Sequence, residues 1–298
     1  MRLLLGYDGS NGSQDAAELA RVLGEATEAG VLVVTVFPYG PLPVPYEILE
    51  EEEAERASLL FEEAREGLGE LAVETRAFGG GSAAGVIDDL AEKEAVETIV
   101  IGSPHRGMVG RVVIGSVADG LLSGAPCEVL VAPSGYASEE HGPFRTIAVA
   151  YDDTQEAKAA LARAEEIALA CRAKIVIYTV SAPPTVVPGA AGYTPAIPPE
   201  AGAIVTRTVK GVDERLDATG RALGGVPAQA ILDACEEAGA DLLVSGSRSH
   251  GPLARTLLGS VSRQLVHNAA CPVLVVPRPV AQPEEEGRGQ QRNHHQVA

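Results

Sequence analysis

Two stretches of the sequence carry a glycine at the end of an apolar run and a Gly-Ser-Val a fixed distance later. The first reads TIVIGSPHRGMVGRVVIGSV, in which Gly102 closes the run and Gly115, Ser116 and Val117 follow. The second reads LLVSGSRSHGPLARTLLGSV, with Gly246 and then Gly259, Ser260 and Val261. Each spells a strand, a small-residue loop and a helix that opens on Gly-Ser. Such an opening turns several backbone N–H groups, a hydroxyl and the positive end of the helix dipole toward one point. That chemistry suits an anion of phosphate size; the plainer alternative is ordinary N-capping. Arg106, Arg111, Arg248, Arg255 and His250 lie in or beside the two loops, and basic groups there fit a phosphate even in an acidic chain.

Other chemistries are disfavoured. Gly102 and Gly107 have P-loop spacing, but Met108 stands where lysine is required. Gly79-x-Gly81-x-x-Ala84 fits a dinucleotide fingerprint, yet its counterpart around Gly224–Ala230 does not, so it reads as a tight turn. Cys127, Cys171, Cys235 and Cys271 show no CxxC spacing, which excludes the usual structural zinc site and leaves small core-filling thiols. His294 and His295 fall in the C-terminal tail and take no role. No base, nucleophile and metal set sits beside the loops, so the expectation is a protein that is not an enzyme. A net charge of −18 argues against nucleic-acid binding, because a phosphate backbone needs a basic surface. No apolar run approaches membrane-spanning length, and Met1–Leu5 is too short for a signal-peptide core; the expectation is a soluble cytoplasmic protein.

The elements that must position these groups alternate. Leu3–Tyr7 is apolar and ends in the turn-forming Asp8-Gly9-Ser10; Asp15–Glu28 has helical spacing; Val31–Phe37 is a continuous apolar run, as in a strand buried on both faces. An acidic helix over Glu47–Leu68, a strand over Leu71–Phe78 and a helix to Glu94 lead into the first glycine stretch. After a polar segment the series restarts. Thr146–Tyr151 is followed by Asp152-Asp153-Thr154 as a cap, a helix over Gln155–Cys171 and a strand over Lys174–Val180. A proline-rich loop over Ala182–Pro199, a helix over Ala201–Leu216, a strand over Ala218–Leu223 and a helix over Pro227–Ala238 lead into the second stretch.

The restart is a duplication. Asp8 and Asp152, Val36 and Val180, Gly102 and Gly246, Gly115 and Gly259, Ser116 and Ser260, and Cys127 and Cys271 all stand 144 residues apart. One offset over six landmarks means two copies of one domain. Strand–helix alternation makes each an α/β domain with an open, mostly parallel five-stranded sheet and helices on both faces. The expected layout is residues 1–135, a linker over 136–144, a second domain over 145–278 and a disordered tail over 279–298. In such sheets ligands bind at the carboxyl ends of strands where the strand order reverses.

Each half resembles a universal stress protein domain, and the whole chain resembles a tandem member of that family. The resemblance rests on the G-x-x-G-x9-G-S/T pattern after the fourth strand, the Asp-Gly-Ser turn and the APC-x-VLV closing strand. It implies ATP or a related adenine nucleotide, with or without Mg²⁺, in a Rossmann-like pocket. Asp8 and Asp152 would be the carboxylates near adenine. Val36 and Val180 would bond the base through their backbone, and Gly102, Gly115, Ser116 and Val117, or Gly246, Gly259, Ser260 and Val261, would hold the phosphates. It also implies halves packed as a pseudo-dimer through their last strands, with a homodimer of the chain as a further option. The second motif glycine is replaced by His105 in the first half and Ser249 in the second. Ser249 is small and able to donate, so it joins the expected site and favours the second half for ATP. The family also contains members that bind no nucleotide, and these typically depart from the motif, which leaves a ligand-free interaction module as the alternative.

Overall fold

The apolar runs alternate faces as strands must. Leu3 and Leu5 pack into one buried layer while Leu4 packs into the other, and Val31 and Val33 divide from Leu32 and Val34 in the same way. The computed structural model describes residues 1–37, 46–79, 81–104, 115–181, 199–247 and 258–277. Its first half runs β1 (Arg2–Gly6), α1 (Asn11–Thr27), β2 (Gly30–Phe37), α2 (Tyr46–Leu68), β3 (Val73–Gly79), α3 (Ala83–Lys93), β4 (Thr98–Gly102), α4 (Ser116–Gly124) and β5 (Glu128–Ala132). The second half runs β6 (Thr146–Ala150), α5 (Gln155–Cys171), β7 (Lys174–Ser181), α6 (Pro199–Gly211), β8 (Ala218–Gly224), α7 (Pro227–Ala238), β9 (Leu242–Gly246), α8 (Ser260–Asn268) and β10 (Val273–Val276). The proline-rich 182–198 and the tail 278–298 lie outside the described residues.

The strands lie in the order β3-β2-β1-β4-β5-β10-β9-β6-β7-β8, parallel within each half. Two five-stranded sheets are therefore present, as the alternation predicts, but they are fused edge to edge into one ten-stranded sheet. The fusion is the antiparallel pairing of β5 with β10, in which Val131, Leu130 and Val129 face Val273, Leu274 and Val275. These strands are too apolar to leave as open edges, and each covers the other. Leu130 and Leu274 are repeat equivalents and pair directly, so a pseudo-twofold axis passes between them. Arg263 on α8 and Asp119 on α4, also equivalents, form an ion pair at 2.9 Å. Both buried layers run through the seam: Leu130 and Leu274 lie on one face, and Val129, Val131, Val273 and Val275 on the other.

A further contact across the seam is asymmetric. Arg163 of α5 donates to Glu128 of β5 at 2.9 Å, and within the first half Thr98 donates to the same carboxylate oxygen at 2.9 Å. Both ionic groups are nearly covered, at 12% and 14% exposure. Burial pushes the Glu128 carboxyl above its ordinary value, and the pull of Arg163 and Thr98 in the other direction does not fully offset it. The pair thus fixes how the halves meet more than it stabilises them.

The polar segment after β5, the expected linker, is strapped to α1, and two helix bounds differ from those expected. Asp15, only 2% exposed, accepts from the Gly135 and Ala137 N–H groups at 2.8 Å each. Glu18 accepts from the His141 N–H at 2.9 Å, Arg21 donates to the His141 carbonyl at 2.7 Å, and the Tyr136 and His141 rings stack at 3.9 Å. Helix α6 stops at Gly211 rather than continuing to Leu216, because Asp213 turns the chain by accepting from the Arg215 N–H at 2.9 Å. Helix α1 starts at Asn11, earlier than its apolar spacing indicates, because its cap lies upstream at Ser10.

Replacing Arg163 tests the seam. Arg163→Met leaves Glu128 buried without its cation and should lower unfolding free energy by about 3 kcal/mol at pH 7. With its pKa raised further in the folded state, Glu128 keeps its proton longer there than in the unfolded chain. The deficit should therefore be small near pH 4.5 and grow as pH rises through the folded pKa. Urea melts of Arg163→Met and Arg163→Met/Glu128→Gln across pH check this, and the double variant should recover most of the loss at neutral pH.

Candidate functional site

Each half has a cavity of about 260 Å³ at the carboxyl ends of its central strands. In the first half the strand order reverses between β1 and β4. The cavity opens there, walled by the β1–α1 turn, the end of β2, the end of β4 and the start of α4. It brings together Asp8, Val36, Gly102, Gly115, Ser116 and Val117, all six residues expected for this half. The second cavity is lined by Asp152, Val180, Gly246 and Val261 of the expected set. Gly259 and Ser260 stand at the N-terminus of α8 beside it, Gly259 as the cap residue and Ser260 exposed. Ser249, His105, Arg106, Arg111, Arg248, Arg255 and His250 lie outside the described residues.

One wall of each cavity is made by backbone. The Val34 carbonyl accepts from the Tyr7 N–H at 2.9 Å, which is the last bond between the β1 and β2 ends. In a parallel strand the N–H and C=O of one residue point to the same side, and those of the residue two along do likewise. Val36 therefore turns its amide and carbonyl past the end of β1 and into the cavity. The second half repeats this: the Tyr178 carbonyl accepts from the Tyr151 N–H at 2.9 Å, and Val180 stands two residues further on.

The carboxylates do not cap their helices. Ser10 is the N-cap of α1 and accepts from Ser13 N–H at 3.3 Å; Thr154 is the N-cap of α5 and accepts from Ala157 N–H at 3.2 Å. Asp8 instead accepts from the Ser10 N–H at 3.0 Å, and Asp152 accepts from the Thr154 hydroxyl at 2.6 Å. The competing explanation of these aspartates as caps is thereby removed, and the cap of α5 is Thr154 alone among the expected Asp152-Asp153-Thr154. The turn between carboxylate and cap needs a left-handed residue, met by Gly9 at φ 78° and by Asp153 at φ 65°. Aspartate is among the few side chains that tolerate it.

Another wall is made by helix starts. Gly115 and Gly259 are the N-caps of α4 and α8 and have no side chain to bond the first-turn N–H groups, whereas α1, α3 and α5 are capped by Ser10, Ser82 and Thr154. The orphan N–H groups of α4 open onto the cavity. Gly102 is where β4 meets α1: a Cβ there would run into the Gly12 backbone. Its small size is thus explained by close packing as well as by any ligand. Ser82 caps α3 after Gly81 at φ 76°, so the Gly79–Ala84 stretch is the tight turn the sequence indicated.

Cys127 and Cys271 sit half-buried before β5 and β10, and burial pushes both thiols up to about 12, far from a reactive thiolate. Among the described residues there is no group of three or more His, Cys, Asp or Glu able to hold a metal ion. No described helix is long and apolar enough to cross a membrane.

A profile of the universal stress protein family matches residues 1–133 and again 143–277. A universal stress protein of Thermus aquaticus is 36% identical over 139 residues, 45% of this chain and 98% of the relative. One of Methanocaldococcus jannaschii is 49% identical over 57 residues, 19% of this chain and only 34% of the relative's length. A universal stress protein structure from Archaeoglobus fulgidus superposes with a TM-score of 0.72 at 22% identity, covering 93% of this chain and 98% of that one, which shows a shared tandem fold.

The packing and capping roles separate cleanly by mutation. Gly102→Ala forces α1 away from β4 and should cost about 3 kcal/mol. Ser10→Ala and Thr154→Ala each remove one cap bond and should cost about 1 kcal/mol. Chemical denaturation of the three single variants checks the ranking; equal losses would mean that Gly102 is not a packing constraint.

Proposed function

The chain belongs to the universal stress protein family, and from that premise we propose that it is a stress-response regulatory protein that binds ATP or a related adenine nucleotide. The reading is carried by one observation. Asp8, Val36, Gly102, Gly115, Ser116 and Val117, scattered over more than a hundred residues of sequence, line a single cavity at the switch point of the sheet. The Val36 backbone edge suits the edge of adenine, which offers one donor and neighbouring acceptors. Asp8 stands where a sugar or base donor would reach it. The N–H groups opening α4 suit the phosphates. Asp152, Val180, Gly246, Gly259, Ser260 and Val261 would play the same parts in the second half, with Ser249 as a further donor.

The role is binding rather than turnover. Positioned acids, bases and metal ligands are what accelerate phosphoryl transfer, and the described cavity walls offer backbone amides, small side chains and one or two carboxylates. ATP hydrolysis, where it occurs, would be slow, with Mg²⁺ carried in on the nucleotide. The seam already takes up both last strands, so a homodimer of this chain would need a different surface. The same surfaces would serve in a cytoplasmic regulator that needs neither membrane nor nucleic acid. The replaced motif glycines, His105 and Ser249, favour the second reading, a ligand-free interaction module.

Isothermal titration of the full chain with ATP, with and without Mg²⁺, separates the readings. The expected result is saturable binding, weakened roughly tenfold or more by Ser116→Glu through charge repulsion at the helix start. The same substitution places a carboxylate favourably on the helix dipole, so the thermal midpoint should hold or rise slightly. No heat with ATP, ADP, AMP or adenosine would leave the interaction module as the function.

A further inference from the structure

Besides its cavity, each half has an open groove on the outside of the fold. Tyr7 lines the first cavity and also a groove between α1 and α2; Tyr151 lines the second cavity and also a groove between α5 and α6. The grooves are repeat equivalents, since Tyr7, Ala17 and Gly67 of one stand 144 residues before Tyr151, Leu161 and Gly211 of the other. Their charges are reversed. Gln14 becomes Lys158, Glu63 becomes Arg207 and Glu66 becomes Lys210, and all six side chains are exposed. In the first groove Glu63 accepts from the neutral Gln14 amide at 2.6 Å. In the second, Arg207 and Lys158 share one carboxylate, Asp153, at 2.7 and 3.4 Å. The halves differ in the same sense: residues 1–133 hold 23 acidic and 8 basic side chains, and residues 143–277 hold 13 and 12.

These opposite charges do not meet within one molecule. Helix α2 packs on β2 and β3, and α6 packs on β7 and β8, toward opposite ends of the sheet. In the strand order β7 is seven places from β2, which is roughly 30 Å at about 4.8 Å per strand. Salt screens charges beyond about 8 Å. Both grooves nevertheless lie on one face. Leu130 and Leu274 pair directly and belong to the same buried layer, the one covered by α1, α2, α5 and α6, so the pseudo-twofold axis runs through the sheet. A second copy laid on this face, turned about an axis in the sheet plane and square to the line joining the grooves, sets each acidic groove on a basic one. Such a contact is isologous and closes at two subunits. It also places each acidic first half over a nearly neutral second half, whereas first half on first half would bring the two most acidic regions together. Leu59, 63% exposed, stands one turn before Glu63 on the same side of α2 and adds an apolar contact; its equivalent on α6 is the small, exposed Ala203. We propose that this face is a homodimer surface, on which the α1–α2 groove of each chain docks with the α5–α6 groove of a second copy. Neither cavity needs an occupant for this contact.

The test is sedimentation equilibrium of the full chain and of two charge-reversed forms. The wild type should form a dimer whose dissociation constant rises roughly tenfold or more between about 50 and 500 mM salt. Glu63→Lys/Glu66→Lys makes both grooves basic, and Arg207→Glu/Lys210→Glu makes both acidic; each form alone should be monomeric where the wild type is dimeric. Mixed in equal amounts, the two forms should dimerise with each other, which also shows that both are folded. A wild-type dimer that persists in both variants, variants that stay monomeric when mixed, or assembly that grows past two subunits would overturn the proposal. A monomeric wild type at 50 mM salt would overturn it too, and its binding of an oligolysine probe would then assign the first groove to a basic partner.

Discussion

The antiparallel pairing of β5 with β10 is the constraint on which the rest of the molecule depends. Within each half the strands run parallel, and parallel sheets need cover on both faces and at their edges. The pairing supplies the edge cover and makes both apolar layers continuous from one half to the other. It also fixes the register. A slip of one residue would move Val129, Leu130 and Val131 to the wrong faces at once, and the contacts of Arg163 with Glu128 would be lost with it. Because the halves run in opposite directions across this seam, the carboxyl ends of their strands lie at opposite edges of the sheet. The two cavities open away from each other.

Each cavity follows from strands of unequal length. β2 continues to Phe37 while its neighbour β1 ends at Gly6. The extra residues extend an unpaired edge over a space that the β1–α1 turn, the β4 end and the α4 start then enclose. The close approach of Gly102 to Gly12 draws α1 onto β4 and sets the depth of that space. Packing and binding are therefore served by the same small residues, which is why a glycine here cannot be assigned to one purpose from its presence alone.

Much of this was legible from spacing. The offset of 144 residues gave the duplication, and the strand–helix alternation gave the parallel sheet; the glycine stretches gave the side of the sheet where the cavities lie. What was not legible has physical causes. The connection after β5 reads as a linker because it is polar, and the sequence does not show that its N–H groups are matched by Asp15 and Glu18, more than a hundred residues earlier. A signal did exist: the repeat equivalents of these two are Ala159 and Ala162, so the two acidic residues are particular to the first half. Asp152 was open to reading as part of a cap because aspartate is a common cap, and only coordinates show that Thr154 takes that place, as Ser10 does in the first half.

The ion pair between Arg263 and Asp119 has a consequence for how such a molecule can be assembled. These positions are counterparts across the axis, so in an assembly of two identical subunits each would meet its own copy, and a charge cannot be complementary to itself. Fusing the subunits into one polypeptide lifts that restriction and lets one copy turn acidic while the other turns basic. The result is a built-in bias against mismatched partners: two first halves brought together from separate molecules would set carboxylate against carboxylate, and two second halves guanidinium against guanidinium.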